Sequence, residues 1–195
     1  MRLTVPELLF IPGLLAYVVI RGVYETRAKH WSAVTRRVAA RDQLLIPLVG
    51  IGGIILPILY LSTEWLSFAN YRTPQLLSWI GVGAMLTALF LFWRSHADLG
   101  TNWSRTLEMR ERHELVTRGV YRFVRHPMYA AIWVFSLAQG LILQNWLAGC
   151  AAVVAFGSMY FLRVNREEQM MRDEFGDAYA EYCKHTGRVI PRIRR

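Results

Sequence analysis

Five long apolar stretches, separated by segments dense in charge, set the plan of this chain. A membrane-spanning helix needs about 20 mainly apolar residues. The stretches Pro6 to Tyr24, Leu44 to Leu61, Leu76 to Trp93, Met128 to Leu143 and Trp146 to Leu162 come near that length, and the second and third hold no charge. Only Gln144 and Asn145 separate the last two, so these are expected to form a tight antiparallel helical hairpin. Pro47 and Pro57 should bend the second span. Gly50, Gly52 and Gly53 in the second span, with Gly81 and Gly83 in the third, point to close helix contacts. In the polar tail Met171, Phe175, Tyr179 and Tyr182 recur at helical spacing, with Gly187 as a stop. The expected fold class is an all-α integral membrane protein. It has five transmembrane helices, a cytoplasmic loop over 94–127, and an amphipathic C-terminal helix folded back under the bundle. Residues 1–195 form one membrane domain, in which 1–94 carry three spans and 95–195 hold the catalytic half.

Charge sets the orientation. Arg27, Lys29, Arg36, Arg37 and Arg41 follow the first stretch, and Arg94, Arg105, Arg110, Arg112, Arg118, Arg122 and Arg125 follow the third. The loop after the second holds only Arg72, and the Gln144-Asn145 turn holds no positive residue. The bias of positive residues to the cytoplasmic side puts the N-terminus outside and the C-terminus in the cytoplasm. The membrane is the inner membrane of a prokaryote or the endoplasmic reticulum of a eukaryote. Trp31, Trp65, Trp79, Trp93, Trp103 and Trp146 fall near span ends, as an aromatic belt does. The net charge of +9 flanks apolar runs, which favours anionic lipid headgroups over nucleic acid. No span carries a charge near its middle and no long repeat is visible, which argues against an ion pump or an inverted-repeat transporter. Cys150 and Cys183 make neither a disulfide framework nor a zinc spacing, and no metal site is expected. The first stretch is expected to be a retained span, and the Ile-Arg-Arg ending carries no prenylation box.

Candidate chemistry concentrates where the fourth span begins. Pro127 suits the first turn of a helix because its missing N–H would be unpaired there anyway. His126 then precedes the helix, as a cap or as part of a site, and the N–H groups of Met128, Tyr129 and Ala130 face the interface. Such a helix start attracts a carboxylate. Arg163 and Glu167 stand one turn apart just past the fifth span. As an exposed pair they would matter little. The hairpin, however, brings them to His126 and Tyr129, which makes one candidate pocket of two ordinary features.

The order Leu-Gly-Thr-Asn-Trp (99–103), His-Glu-Leu-Val (113–116), Gly-Val-Tyr (119–121), Arg-His-Pro-Met-Tyr (125–129), Arg163 with Glu167-Glu168, and Phe-Gly-Asp-Ala-Tyr-Ala-Glu-Tyr (175–182) resembles the isoprenylcysteine carboxyl methyltransferase family, roughly over residues 95–192. The resemblance implies an enzyme of the EC 2.1.1 class that uses S-adenosyl-L-methionine, releases S-adenosyl-L-homocysteine and methylates the carboxylate of a prenylated cysteine or similar lipophilic acid. Carried over by motif, His113, Glu114, Leu115, Val116, Tyr121, His126, Pro127, Met128, Tyr129, Glu167 and Glu168 would bind the cofactor. Arg163 would hold the substrate carboxylate, and Arg163 with Glu167 would form the catalytic pair. A family glutamine corresponds to Thr106 here, which leaves that position open.

The residues agree with this chemistry. A carboxylate nucleophile is ionised at neutral pH and needs no general base, which fits a chain without a Ser-His-Asp or Cys-His arrangement. No GxGxxG fingerprint appears, so helices and loops would have to build the cofactor site. The alternatives are a phospholipid N-methyltransferase, an NADPH-dependent membrane reductase and a non-catalytic membrane protein. The first would set Arg163 beside an amine, the wrong charge. Oligomeric state is left open.

Overall fold

The computed structural model describes residues 3–28, 33–36, 40–100, 108–110 and 114–192, with backbone alone for 28, 33–36, 40–43 and 108–110. Residues 101–107 and 111–113, and with them Thr106 and His113, lie outside the described residues. The elements are α1 (Val5–Ala28), β1 (Ala33–Arg36), α2 (Ala40–Gly50), a π-helical turn (Ile51–Ile55), α3 (Leu56–Ser62), α4 (Gln75–Leu99), β2 (Glu108–Arg110), α5 (Pro127–Leu143) and α6 (Trp146–His185). Among the described residues the regular elements are helical apart from the short antiparallel pair β1–β2, which the apolar pattern did not announce.

Among the described residues, four helical stretches are long and apolar enough to cross a membrane: Val5–Arg27, Leu44–Ser62, Gln75–Leu99 and the apolar part of Trp146–His185. Leu15, Ile55, Leu86, Val154 and Phe161 stand exposed on their outer faces. Contiguous apolar surface of that extent needs an apolar solvent, and the protein is an integral membrane protein. The fourth apolar stretch, α5, is shorter at 17 residues. It packs between α4 and α6, with α1 also against it.

Two of these helices, α1 and α6, begin on side-chain caps. Thr4 and Glu7 form a capping box at the start of α1, with Thr4 N and Oγ1 donating to Glu7 Oε2 at 2.7 and 2.8 Å. Asn145 starts α6 by accepting from the N–H groups of Leu147 and Ala148 at 3.0 and 2.9 Å. Its amide also donates to Leu66 O at 2.7 Å and Asn70 Oδ1 at 2.8 Å, so the α5–α6 reversal is tied to the loop after α3. Gln144 takes the left-handed conformation (φ 47°) that lets the chain reverse in two residues. Gly140 and Gly149 then face each other across the hairpin with no room for a Cβ at 149.

Of the five glycines expected at helix contacts, two are. A Cβ on Gly52 would meet the backbone of Ala151 on α6, and one on Gly81 would meet α5 at Leu141 and Ile142. Gly50, Gly53 and Gly83 have nothing within 4 Å of a built Cβ. The disturbance expected from Pro47 and Pro57 takes the form of the π-helical turn between them. In the tail, α6 continues without a stop past Arg163 to His185 and breaks only at Gly176 (φ 50°). Met171, Phe175, Tyr179 and Tyr182 form its covered side.

Candidate active site

Pro127 opens α5, and the three residues before it lie outside the helix. They pair with the returning tail: Arg125 N donates to Gly187 O and His126 N to Arg188 O, both at 2.8 Å, while Val124 bridges Gly187. Gly187, the residue just past the C-cap Thr186 of α6, is thus also a strand-like partner of the site. His126 makes no capping bond. Its ring lies over Tyr129, with centroids 5.4 Å apart and planes 16° apart. It faces Glu167 and Glu168 of α6 at 3.6 and 3.5 Å. The N–H of Ala130 is not open to a ligand, because it donates to His126 O at 3.0 Å.

The hairpin brings the two halves of the motif together. Tyr129 donates its hydroxyl to Glu167 Oε2 at 2.5 Å. Arg163, 7 % exposed, holds Nε 3.8 Å from the same oxygen. Burial works against a charged imidazole, but the two carboxylates favour it more, so the pKa of His126 is raised. Glu167 and Glu168 lie beyond the apolar part of α6. Burial is the largest single influence and pushes their pKa values up, and His126 pulls the other way. Arg163 and Tyr129 add to that pull at Glu167, and Arg188 and Arg125 at Glu168, so each is held down at about 2.

These groups line one end of a cavity of about 330 Å³. Glu114, Leu115, Val116, Tyr121, His126, Met128, Tyr129, Arg163 and Glu167 all reach it. Pro127 and Glu168 do not. Pro127 is buried in the helix start. Glu168 is 1 % exposed and clamped by Arg125 Nε at 3.1 Å and by Arg188 Nη2 at 2.7 Å. It braces His126 from behind, because the i, i+1 step on a helix turns it about 100° away from Glu167.

The cavity also takes residues that the resemblance did not assign to the site. Tyr17, Arg21 and Glu25 come from α1, whose far end meets α5 through Arg21 Nη1 and Met128 Sδ at 3.9 Å. Arg125, Tyr179 and Tyr182 close the polar end, and Tyr182 donates to Tyr121 O at 2.5 Å. From there the cavity follows one face of α5, past Ile132, Phe135 and Ser136 to Gln139, between that helix, α2 and Met159 and Ala152 of α6. Arg125, Tyr179 and Tyr182 had a signal in the sequence, their places within the quoted motif. The rest arrive through long-range packing.

A polar, charge-balanced end opening into an apolar arm is one continuous space. Residues 79–173 match the model of a known family. That family is the isoprenylcysteine carboxyl methyltransferase family. The match begins earlier than the motif, inside α4, and stops short of the tail tyrosines. The chain is similar to the protein-S-isoprenylcysteine O-methyltransferase of Dictyostelium discoideum, 30% identical over 136 residues, covering 67% of this chain and 55% of that protein. It is similar also to that of Schizosaccharomyces pombe, 32% identical over 128 residues, covering 65% and 52%. Among solved structures it resembles a eukaryotic intramembrane Ras methyltransferase, isoprenylcysteine carboxyl methyltransferase, with TM-score 0.53 and 25% identity over 81% of this chain and 54% of that one. The chain thus spans about half the length of these members of the isoprenylcysteine carboxyl methyltransferase family.

Proposed function

We propose that the protein is an S-adenosylmethionine-dependent methyltransferase that esterifies the carboxylate of a prenylated cysteine or similar lipophilic acid. The observation that carries this reading is the continuity of the cavity: His126, Tyr129, Arg163 and Glu167 stand at one end, and the α2–α5–α6 seam forms an apolar arm at the other.

The residues fit the cofactor. When bound, it supplies a methyl group on a cationic sulfonium. Glu167, ionised under all physiological conditions, can balance that cation, and the rings of Tyr121 and Tyr129 offer it their faces. His126, whose charged form its two carboxylates favour, suits the carboxylate of the cofactor's amino-acid part. Glu114, Leu115 and Val116 close the same end from the loop, and His113 is proposed to join them.

Arg163 holds the acceptor carboxylate by its guanidinium fork. The nucleophile is already ionised, so no residue has to take its proton. Alignment and exclusion of water supply the rate, and opposite charges merge as the methyl moves, which favours a dry site. Tyr179, 2 % exposed, and Tyr182 cover the polar end.

For this chemistry α5 acts as a fifth span, its 17 residues rising about 26 Å. The N-terminus lies outside, the site opens at the cytoplasmic face, and the helix beyond Gly176 lies amphipathically against it. The acceptor enters sideways from the bilayer. The test uses the purified protein in lipid nanodiscs with labelled S-adenosylmethionine. Photo-crosslinking competed by S-adenosylhomocysteine but not by NADPH, with labelled methyl ester recovered from S-farnesylcysteine, is the expected result. Crosslinking without methyl transfer to any lipid acid, or competition by NADPH instead, would overturn it.

A further inference from the structure

The apolar arm ends on polar groups, which a plain hydrocarbon tail does not require. Gln139 is 0 % exposed and sits about 15 Å along α5 from Tyr129. Its amide nitrogen has a structural duty. In the π-helical register the carbonyl of Ile51 accepts from Leu56, so that of Gly52 would accept from Pro57, which has no N–H. Gln139 Nε2 fills that gap, donating to Gly52 O at 2.9 Å and to Ala148 O at 2.6 Å. Both partners are carbonyl oxygens, so the amide cannot be turned round. Its Oε1 is left buried, with no hydrogen-bond partner among the described residues. An acceptor so placed in an apolar interior is costly unless something donates to it. Ser136, one turn earlier on the same face, lines the same cavity and is 3 % exposed. Across from them α2 and the π-turn present Gly50 and Gly53, where a Cβ would meet nothing within 4 Å. The end of the arm therefore has room as well as polarity.

We propose that this inner end is a hydrogen-bonding subsite for the acceptor lipid: Gln139 Oε1 accepts from a hydroxyl carried towards the end of the lipid far from its carboxylate, and Ser136 Oγ donates to that hydroxyl's oxygen. The inference rests on the methyltransferase reading above and adds a substrate class, lipid acids hydroxylated towards the far end of the chain. Carboxylate recognition by Arg163 and hydroxyl recognition by Gln139 then measure the acceptor's length between two fixed points on one helical hairpin.

The test compares two acceptors on the intact protein in nanodiscs, N-acetyl-S-farnesylcysteine and its counterpart hydroxylated at the terminal isoprene unit. The hydroxylated acceptor should have a kcat/KM higher by roughly tenfold, the worth of one well-made neutral hydrogen bond. Ser136→Ala should reduce that ratio, and Gln139→Met should bring it to about one. If Gln139→Met does not fold, the ratio in the unaltered protein and in Ser136→Ala decides. A ratio of one or below in the unaltered protein means that the end holds only a water, and the subsite is rejected while methyl transfer stands. Failure of both acceptors, together with loss of cofactor crosslinking, strikes the underlying reading instead.

Discussion

Arg163 and Tyr129 both touch Glu167, yet their proposed duties differ, and substitution separates them. Arg163→Ala should lower kcat/KM for the acceptor by roughly a hundredfold or more, because a buried charge-assisted grip is lost. S-adenosylmethionine affinity, measured by calorimetry, should change little. Equal loss of both would contradict the assignment. Tyr129→Phe should weaken cofactor binding by about tenfold through the lost bond to a carboxylate. Pro127→Ala should be milder than Tyr129→Ala, since alanine also tolerates a helix start and Pro127 does not line the cavity. His126 adds a pH dependence. Its pKa is raised above the ordinary 6.5, so its charged pairing with Glu167 and Glu168 is fully present below that pH and is lost as pH rises through the raised value. Cofactor affinity should hold level through pH 6.5 and fall above it, and His126→Gln should flatten the profile. At this scale the motif spelled out much of the site. Pro127 and Glu168 do not line the cavity, the latter because adjacency in sequence says nothing about which of two neighbours on a helix turns towards a cavity.

The hairpin of α5 and α6 depends on few atoms. Asn145 caps α6 and anchors the turn to Leu66 and Asn70. Asn145→Ala removes the cap, worth about 1 kcal/mol, and orphans buried partners, so a loss of about 2 kcal/mol is expected. For a chain of this size that is roughly a 5 °C drop in Tm, readable in detergent. Gly52→Leu should force α2 from α6, because its Cβ would meet the backbone of Ala151, at a cost of about 1–3 kcal/mol. Gly53→Ala, where a Cβ meets nothing within 4 Å, should be tolerated. The spans and the two-residue reversal were legible because apolar length and turn chemistry are local properties. Which glycines touch was not, because that depends on the rotation of each helix against its neighbour, and five glycines in two similar spans look alike from the sequence.

Across the whole molecule, the tail completes what the spans begin. Gly187 and Arg188 hold Arg125 and His126 by backbone bonds, and Arg188 joins Arg125 on Glu168. Removal of residues 186–192 should therefore cost cofactor binding while leaving the bundle helical by circular dichroism; undiminished binding would deny the tail this role. The proposed orientation makes Cys183 cytoplasmic, so a membrane-impermeant thiol reagent should label it in inside-out vesicles and not in right-side-out ones. The sequence by itself determined the helices, the membrane as their solvent and the family motif, because apolar runs, helix starts and motif spacing are properties of neighbouring residues. Only the tertiary structure decided that α1 supplies Arg21 and Glu25, that the tail straps the start of α5, and that the apolar arm ends on Gln139. Those facts depend on contacts between residues many tens of positions apart, where the packing of whole helices, and no local preference, selects the partner.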